Sequence, residues 1–306
     1  MHLPPCEVWL FTIEVWQFTI EVWRFTISAT QIGSTRAFRL TWLESNARCD
    51  ETRRLWPASM KTCRTIDLGR IAYGEAAALQ QRLVAARKIA AVPDLLLFCE
   101  HPHVITLGRN GKREHLRVSE LLLRQKDVEF HLTNRGGDIT YHGPGQIVGY
   151  PVLDLNGIKR DVVWYVRQLE QSMIAATSAF GIRAFRVPGR TGVWVDAPPC
   201  HGAGSRREEK LAAIGVHISR WVTSHGFAYN VSTNLGFFDL ITPCGIADCG
   251  VTSLEKILDR PVVRAEALAR LSQGFSDAFG LELIPAEPAE LNGWLSQAES
   301  LKAPAA

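Results

Sequence analysis

The run Asn134-Arg135-Gly136-Gly137-Asp138-Ile139-Thr140-Tyr141-His142-Gly143-Pro144-Gly145-Gln146 sets four glycines, a proline, an arginine and a histidine between two apolar segments. Glycine lets backbone approach a ligand closely, at an entropic cost that a plain connection would avoid. The backbone of this run is therefore expected to form part of a binding wall. Ile147 to Leu155 follows as a strand ending in a turn, which would set the run at a sheet edge.

Other segments carry reactive side chains. Lys210-Leu211-Ala212-Ala213-Ile214-Gly215-Val216-His217-Ile218 leads to Ser224-His225-Gly226-Phe227-Ala228-Tyr229-Asn230-Val231, and then to Thr242-Pro243-Cys244-Gly245-Ile246. Upstream stand Asp67-Leu68-Gly69-Arg70-Ile71-Ala72-Tyr73 and Glu100-His101-Pro102-His103-Val104-Ile105-Thr106-Leu107-Gly108-Arg109. Together with Arg-Gly-Gly, Thr, an aromatic, His, Pro-Gly-Gln and Tyr-Pro in the glycine run, these resemble the lipoyl(octanoyl) transferases, from roughly Arg64 to Ile284. The resemblance implies an acyltransferase that moves an octanoyl group from acyl carrier protein to a protein lysine. Its acceptors would be the lipoyl domains of 2-oxoacid dehydrogenase E2 subunits and the glycine cleavage H protein. It implies Lys210 and Cys244 as catalytic residues, with no cofactor and no metal. The walls of the acyl slot would come from Arg135, Gly136, Gly137, Asp138, Ile139, Thr140, Tyr141 and His142, from Ala213, Ile214 and Gly215, and from Gly226, Phe227 and Ala228.

A cysteine suits such chemistry, because thioester exchange is nearly balanced and keeps the acyl group activated for an amine. At the reference pKa near 8.5 only about 3% is thiolate at pH 7, and a nearby ammonium raises that fraction. Cys249 competes with Cys244. Proline before and glycine after hold Cys244 on a tight exposed turn, whereas Asp248 sets an acid beside Cys249 and disfavours its thiolate. Lys210 is expected to stabilise the thiolate and, when partly buried, to relay the proton of the incoming lysine. Glu208 and Glu209 precede it, where the family has a glycine-and-basic approach, and two acids there would hold its charge. His142 and His225 are expected to orient substrate or support structure, with His101 and His103 in a turn around Pro102. An octanoyl tail buried at roughly 0.8 kcal/mol per methylene would gain about 5 kcal/mol, with small residues leaving it room. Chain length itself is not readable from these residues.

The elements that must position them follow from hydrophobic period. Glu75 to Ala91, Val162 to Phe180 and Arg264 to Phe279 read as helices. Leu95 to Cys99 and Val104 to Leu107 read as strands around the His-Pro turn, with more strands at 183–187, 192–195 and 211–218. This implies an α/β (α+β) domain with a mixed sheet and flanking helices. The resemblance implies the fold of biotin and lipoate protein ligase catalytic domains. Ala197 to Glu209 reads as a polar loop and candidate lid. Residues 60–285 would form the catalytic domain and 286–306 a short tail.

Residues 1–59 read as a separate extension. Glu-Val-Trp-x-Phe-Thr-Ile occurs three times from Glu7 to Ile27, varying only at Leu10, Gln17 and Arg24, whose codons can differ by one middle base. A translated DNA repeat is the simplest source, with Met60 the expected natural start and an aggregation-prone product if the repeats are made. The 306 residues are 46% apolar and 21% charged, ordinary for a globular protein, and a net charge of +3 is too small to suggest nucleic-acid binding. Without a long apolar run or an export signal, and with seven cysteines in no paired spacing, the expectation is a cytoplasmic enzyme. Arg109, Lys112, Arg113 and Arg117 cluster as a candidate docking patch for an acidic carrier. Two enzyme rivals use the same residues: an ATP-dependent lipoate or biotin protein ligase, with Gly189-Arg190-Thr191-Gly192 as its phosphate loop, and a Cys/His hydrolase pairing Cys244 with His225 or His142. A silent binder of lipoyl domains would not need Lys210 or Cys244.

Overall fold

The computed structural model describes residues 28–32, 35–39, 61–197, 208–242 and 250–301. The heptapeptide repeats, most of the candidate lid, Cys244 and Cys249 lie outside the described residues. The chain divides into two compact units, Met1–Pro57 and Ala58–Ala306. In the first, β1 (Ser28–Ile32) pairs antiparallel with β2 (Thr35–Arg39), Ile32 facing Thr35.

The second unit begins with β3 (Lys61–Arg70) and α1 (Tyr73–Arg87), then β4 (Leu95–Glu100), β5 (Val104–Leu107), α2 (Glu120–Gln125) and β6 (Glu129–Leu132). There follow β7 (Ile139–His142), β8 (Gln146–Val152), α3 (Val162–Ser178), β9 (Ala184–Val187), β10 (Arg190–Asp196), β11 (Glu208–Ser219) and β12 (Val222–Asn230). The chain closes with β13 (Gly250–Val251), α4 (Leu254–Leu258), α5 (Arg264–Phe279), β14 (Leu281–Pro285) and α6 (Pro288–Ser300). Among the described residues the main sheet runs β14-β3-β4-β8-β12-β11-β10-β9, with β13 beside β11. Its β14-β3-β4 edge is parallel and the path from β4 to β9 antiparallel, so the sheet is mixed as expected. A second sheet, β6-β5-β7, stands apart.

The strands around the His-Pro turn and the glycine run divide between the two sheets. Leu95–Cys99 and Val104–Leu107 do not share a sheet, because the His-Pro segment carries the chain from the large sheet to the small one. His101 anchors that crossing, its Nδ1–H donating to the carbonyl of Ile71 at 2.8 Å. The glycine run itself contains β7, an edge strand of the small sheet, whereas the strand after it, β8, is central in the large one, every residue buried between β4 and β12. A strand buried on both faces reads as an unbroken apolar run, which looks the same from sequence as a short edge strand.

Helices α3 and α5 pack together on one face of the sheet, over a core that includes Phe98, Leu169, Phe227, Leu271 and Phe275. Asp161 caps α3 by accepting the amide of Trp164 at 2.9 Å, and Gly181 follows its end at φ 76°. Helices α1 and α6 cover the other face, with Leu83, Leu97, Tyr150, Leu291 and Leu295 between them and the sheet. Glu287 and Glu290 form a reciprocal capping box on α6, and Pro288 begins it. The last helix thus closes a core of the domain. Sheet and helices leave open the end where β11, β12 and the glycine run meet.

Candidate active site

At that end lies a cavity of about 500 Å³. Strands β11 and β12 form its floor in antiparallel register, Ala213 facing Ala228, Ile214 facing Phe227 and Gly215 facing Gly226. All six line the cavity, and from the glycine run Arg135, Gly137, Asp138, Ile139, Thr140 and His142 close over them. A Cβ on Gly215 would lie 2.8 Å from the carbonyl oxygen of Gly136, and one on Gly226 only 2.1 Å from that of Gly149. Glycine is required there because backbone packs directly on backbone. Two expected wall residues stand elsewhere. The amide of Gly136 donates to the carbonyl of Val216 at 2.8 Å, tying the run to β11, and Gly136 is not part of the lining. Tyr141 is fully buried in the core of the small sheet, hydrogen-bonded to His103 at 2.8 Å and stacked on Phe237. Thr140 and His142 reach the cavity from one face of β7, and Ile139 borders it at the strand's start, while Tyr141 points to the other face and into the small sheet's core.

Arg135 holds the run in place. It is buried and donates to the carbonyl and hydroxyl of Thr106 and to the carbonyl of Gly136, at 2.7 to 3.2 Å.

Lys210 enters the cavity from β11, half-buried, its Nζ 4.7 Å from the centroid of the Trp194 ring. The Arg190 guanidinium lies 5.0 Å from the same ring, so two cations share one aromatic neighbour. The acids expected to hold the lysine's charge are engaged with other cations, Glu208 with Arg190 at 2.9 Å and Glu209 with Lys256 at 3.2 Å. Beside Lys210 the chain returns from the segment that carries Cys244. Gly250 and Val251 pair in parallel with Glu209 and Lys210, and the amide of Thr252 donates to the carbonyl of Lys210 at 3.0 Å. The outgoing end is also anchored, the amide of Thr242 donating to the carbonyl of His115 at 2.8 Å.

A buried polar chain starts from the same place. Asn230 donates to the carbonyl of Thr252 at 3.0 Å and accepts from the amide nitrogen of Gln146 at 2.9 Å. The remaining amide oxygen of Gln146 must accept, so His142 donates to it from Nδ1 at 2.8 Å. His142 therefore carries its proton on Nδ1 and leaves Nε2 as an acceptor. Burial, reinforced by the His101 and Arg135 charges, pushes its pKa down to about 3. Burial and Arg135 likewise lower that of His225 to about 4. His225 donates from Nε2 to the Asn134 side-chain oxygen at 2.6 Å, and its backbone sits at φ 55°. A left-handed residue other than glycine costs about 1–3 kcal/mol and persists only where its surroundings hold it. Here the Gln80 side chain also accepts its amide at 2.9 Å.

Residues 72–276 match the lipoyl protein ligase A/B catalytic domain family. The octanoyltransferase of Solibacter usitatus is 49% identical over 226 residues, 74% of this chain and 97% of that one. The chain belongs to the octanoyltransferase family. The octanoyltransferase of Acidobacterium capsulatum is 47% identical, over 72% of this chain and 91% of its own. Solved structures show the same fold in more distant proteins. A bipartite lipoate protein ligase from Thermoplasma acidophilum superposes with a TM-score of 0.61 at 16% identity, covering 79% of this chain and 92% of that one. Lipoate-protein ligase A bound with ATP gives 0.59, also at 16%, over 79% and 94%. The ligase-like fold expected from the resemblance is therefore present, and the enzyme is an acyltransferase.

In this octanoyltransferase several lining residues escaped the sequence reading: Tyr73, Tyr150, Trp194, Asn230 and Gln146. Gln146 and Asn230 stood inside the motifs but gave no chemical signal of their own, since a lone amide is ordinary in any strand. The Gly189-Arg190-Thr191 turn lines the cavity too, yet it joins β9 to β10 as a hairpin and opens no helix whose amides would hold phosphate. Cys63 and Cys99 are buried, their thiols pushed up by burial, in keeping with structural roles. In the candidate docking patch, Lys112 faces Glu114 at 3.4 Å and Arg113 pairs with Glu120, so half of its cations already face acids.

Burial of His142 and His225 makes the octanoyltransferase sensitive to acid. Unfolded, each titrates near 6.5; folded, His225 stays neutral down to about 4 and His142 down to about 3. The unfolded chain thus binds protons first, and stability present above about pH 6.5 falls as pH drops toward those values, by up to about 1.4 kcal/mol per pH unit for each histidine. Urea unfolding at pH 7 and pH 5 should show this loss. The His142→Asn variant should lose less between the two pH values than the wild type, and an equal loss would remove His142 as a cause.

Proposed function

We propose that Cys244 carries the octanoyl group as a thioester between acyl carrier protein and the lysine of a lipoyl domain. In the first half, the Cys244 thiolate attacks the carbonyl carbon of the carrier's thioester. The carbonyl–sulfur bond to the carrier breaks and its thiol leaves with a proton from Lys210. In the second half, the ε-amine of the acceptor lysine attacks the acyl-cysteine. The carbon–nitrogen bond forms, the bond to Sγ breaks, and the now neutral Lys210 takes the amine's proton, restoring the starting state.

One observation carries this reading. Lys210 lines a slot floored by Ala213, Gly215, Gly226 and Ala228, beside the point where the chain returns from Cys244. The slot gives an eight-carbon tail an apolar bed, where its burial contributes about 5 kcal/mol. Acceptors of the kind meant are the lipoyl domains of 2-oxoacid dehydrogenase E2 subunits and the glycine cleavage H protein. The free buried thiols of Cys63 and Cys99 support a cytoplasmic setting.

The ligase fold makes ATP the discriminating reagent. Purified protein, octanoyl acyl carrier protein and a lipoyl domain should give the octanoylated domain, read as a mass increase, at the same rate with and without ATP and magnesium. Transfer that starts only when ATP and free octanoate are supplied would establish the ligase reaction in its place.

A further inference from the structure

Behind the acyl slot lies a second cavity of about 690 Å³, between α1 and the far ends of β11 and β12. Tyr73 and His225 line both cavities. The register of the floor says which end of the slot they close. Lys210 lies toward Asn230, past the Ala212–Tyr229 pair, whereas His225 faces Val216 at the opposite end. An acyl chain bound with its carbonyl near Lys210 therefore points its methyl end at Tyr73 and His225.

Both side chains are held as a wall. Tyr73 is buried at the first position of α1, its ring 6.2 Å from His142 on the slot side and 5.2 Å from His131 on the other. His225 is fixed by Asn134 and Gln80, both of which line the second cavity. The space beyond is suited to a continuing chain on one side, with Ala77, Val84 and Leu132 in its lining.

We infer that Tyr73 and His225 form the end wall that sets acyl-chain length, and that the second cavity would receive the tail of a longer chain if the wall were removed. This rests on the reading of the slot as the octanoyl site. A misfitting methylene changes selectivity by about 10- to 200-fold.

The test compares eight- and twelve-carbon acyl groups, both as small N-acetylcysteamine thioester donors with a lipoyl domain and as free fatty acids in calorimetric binding. His225→Gly removes the ring at a backbone angle that suits glycine, and Tyr73→Ala is the second opening. Each should raise the twelve- to eight-carbon ratio of kcat/KM, and of affinity, at least about tenfold over wild type. Ala77→Phe lines only the second cavity; alone it should leave the octanoyl rate unchanged, and combined with His225→Gly it should return the ratio toward wild type. Unchanged ratios in folded single variants, or a gain that survives Ala77→Phe, would overturn the end wall. If wild type transfers nothing yet the binding ratios shift as stated, the wall stands and the transfer reaction is wrong.

Discussion

Cys244→Ala should form no octanoyl adduct and transfer no octanoate, a fall on the order of 10⁴-fold or more, the scale expected when a covalent nucleophile is lost. Intact-protein mass spectrometry after incubation with octanoyl acyl carrier protein reads the first effect, and octanoylation of a lipoyl domain the second. Cys249→Ala should keep most activity. The contrast matters because the two thiols lie five residues apart in one segment, with Gly250 anchored beside Glu209 just after Cys249. An adduct that maps to Cys249, or comparable transfer by the Cys244 variant, would move the nucleophile and leave the slot as it is.

Lys210 variants should separate the lysine's two duties. With Lys210→Ala, alkylation of Cys244 near neutral pH should slow, and its pH profile should move upward by about a unit or more, because an ammonium that favours the thiolate has gone. Lys210→Arg should keep the profile close to wild type yet lose transfer to the acceptor amine by about 10²- to 10⁴-fold, since arginine keeps its proton. Adduct formation and transfer measured in the same sample distinguish the two losses. If the Lys210→Ala profile stays unchanged and Lys210→Arg still transfers at a comparable rate, Lys210 has no part in the mechanism, and its contact with Trp194 is packing alone.

Sequence and structure divide the site unevenly. The resemblance set Ala213, Ile214, Gly215, Gly226, Phe227 and Ala228 together, and all six line the cavity, the glycines and alanines among them leaving it room. Gly136 and Tyr141 were assigned to the wall as members of a contiguous motif, and a contiguous motif ignores the alternation of a strand. Tyr141 belongs to the small sheet's core for that reason. Glu208 and Glu209 looked like partners of Lys210 through adjacency, but Glu209, next to it in an extended strand, points to the opposite face and meets Lys256, while Glu208, two residues away on the same face, pairs with Arg190 from β10.

By itself the sequence determined the family, the order of most elements and the reactive residue types, because motifs and hydrophobic period are local properties of the chain. Only the tertiary structure decided which strands are neighbours, as when the His-Pro segment parts β4 from β5, and that β8 is central. It alone gave the protonation of His142, which depends on a chain of amides from Thr252 through Asn230 and Gln146. The end of the acyl slot was equally hidden, since Tyr73 and His225 lie 152 positions apart. No local pattern links them; they border the same two cavities because α1 packs over β12, and the space between side chains exists only once the sheet and its helices have come together.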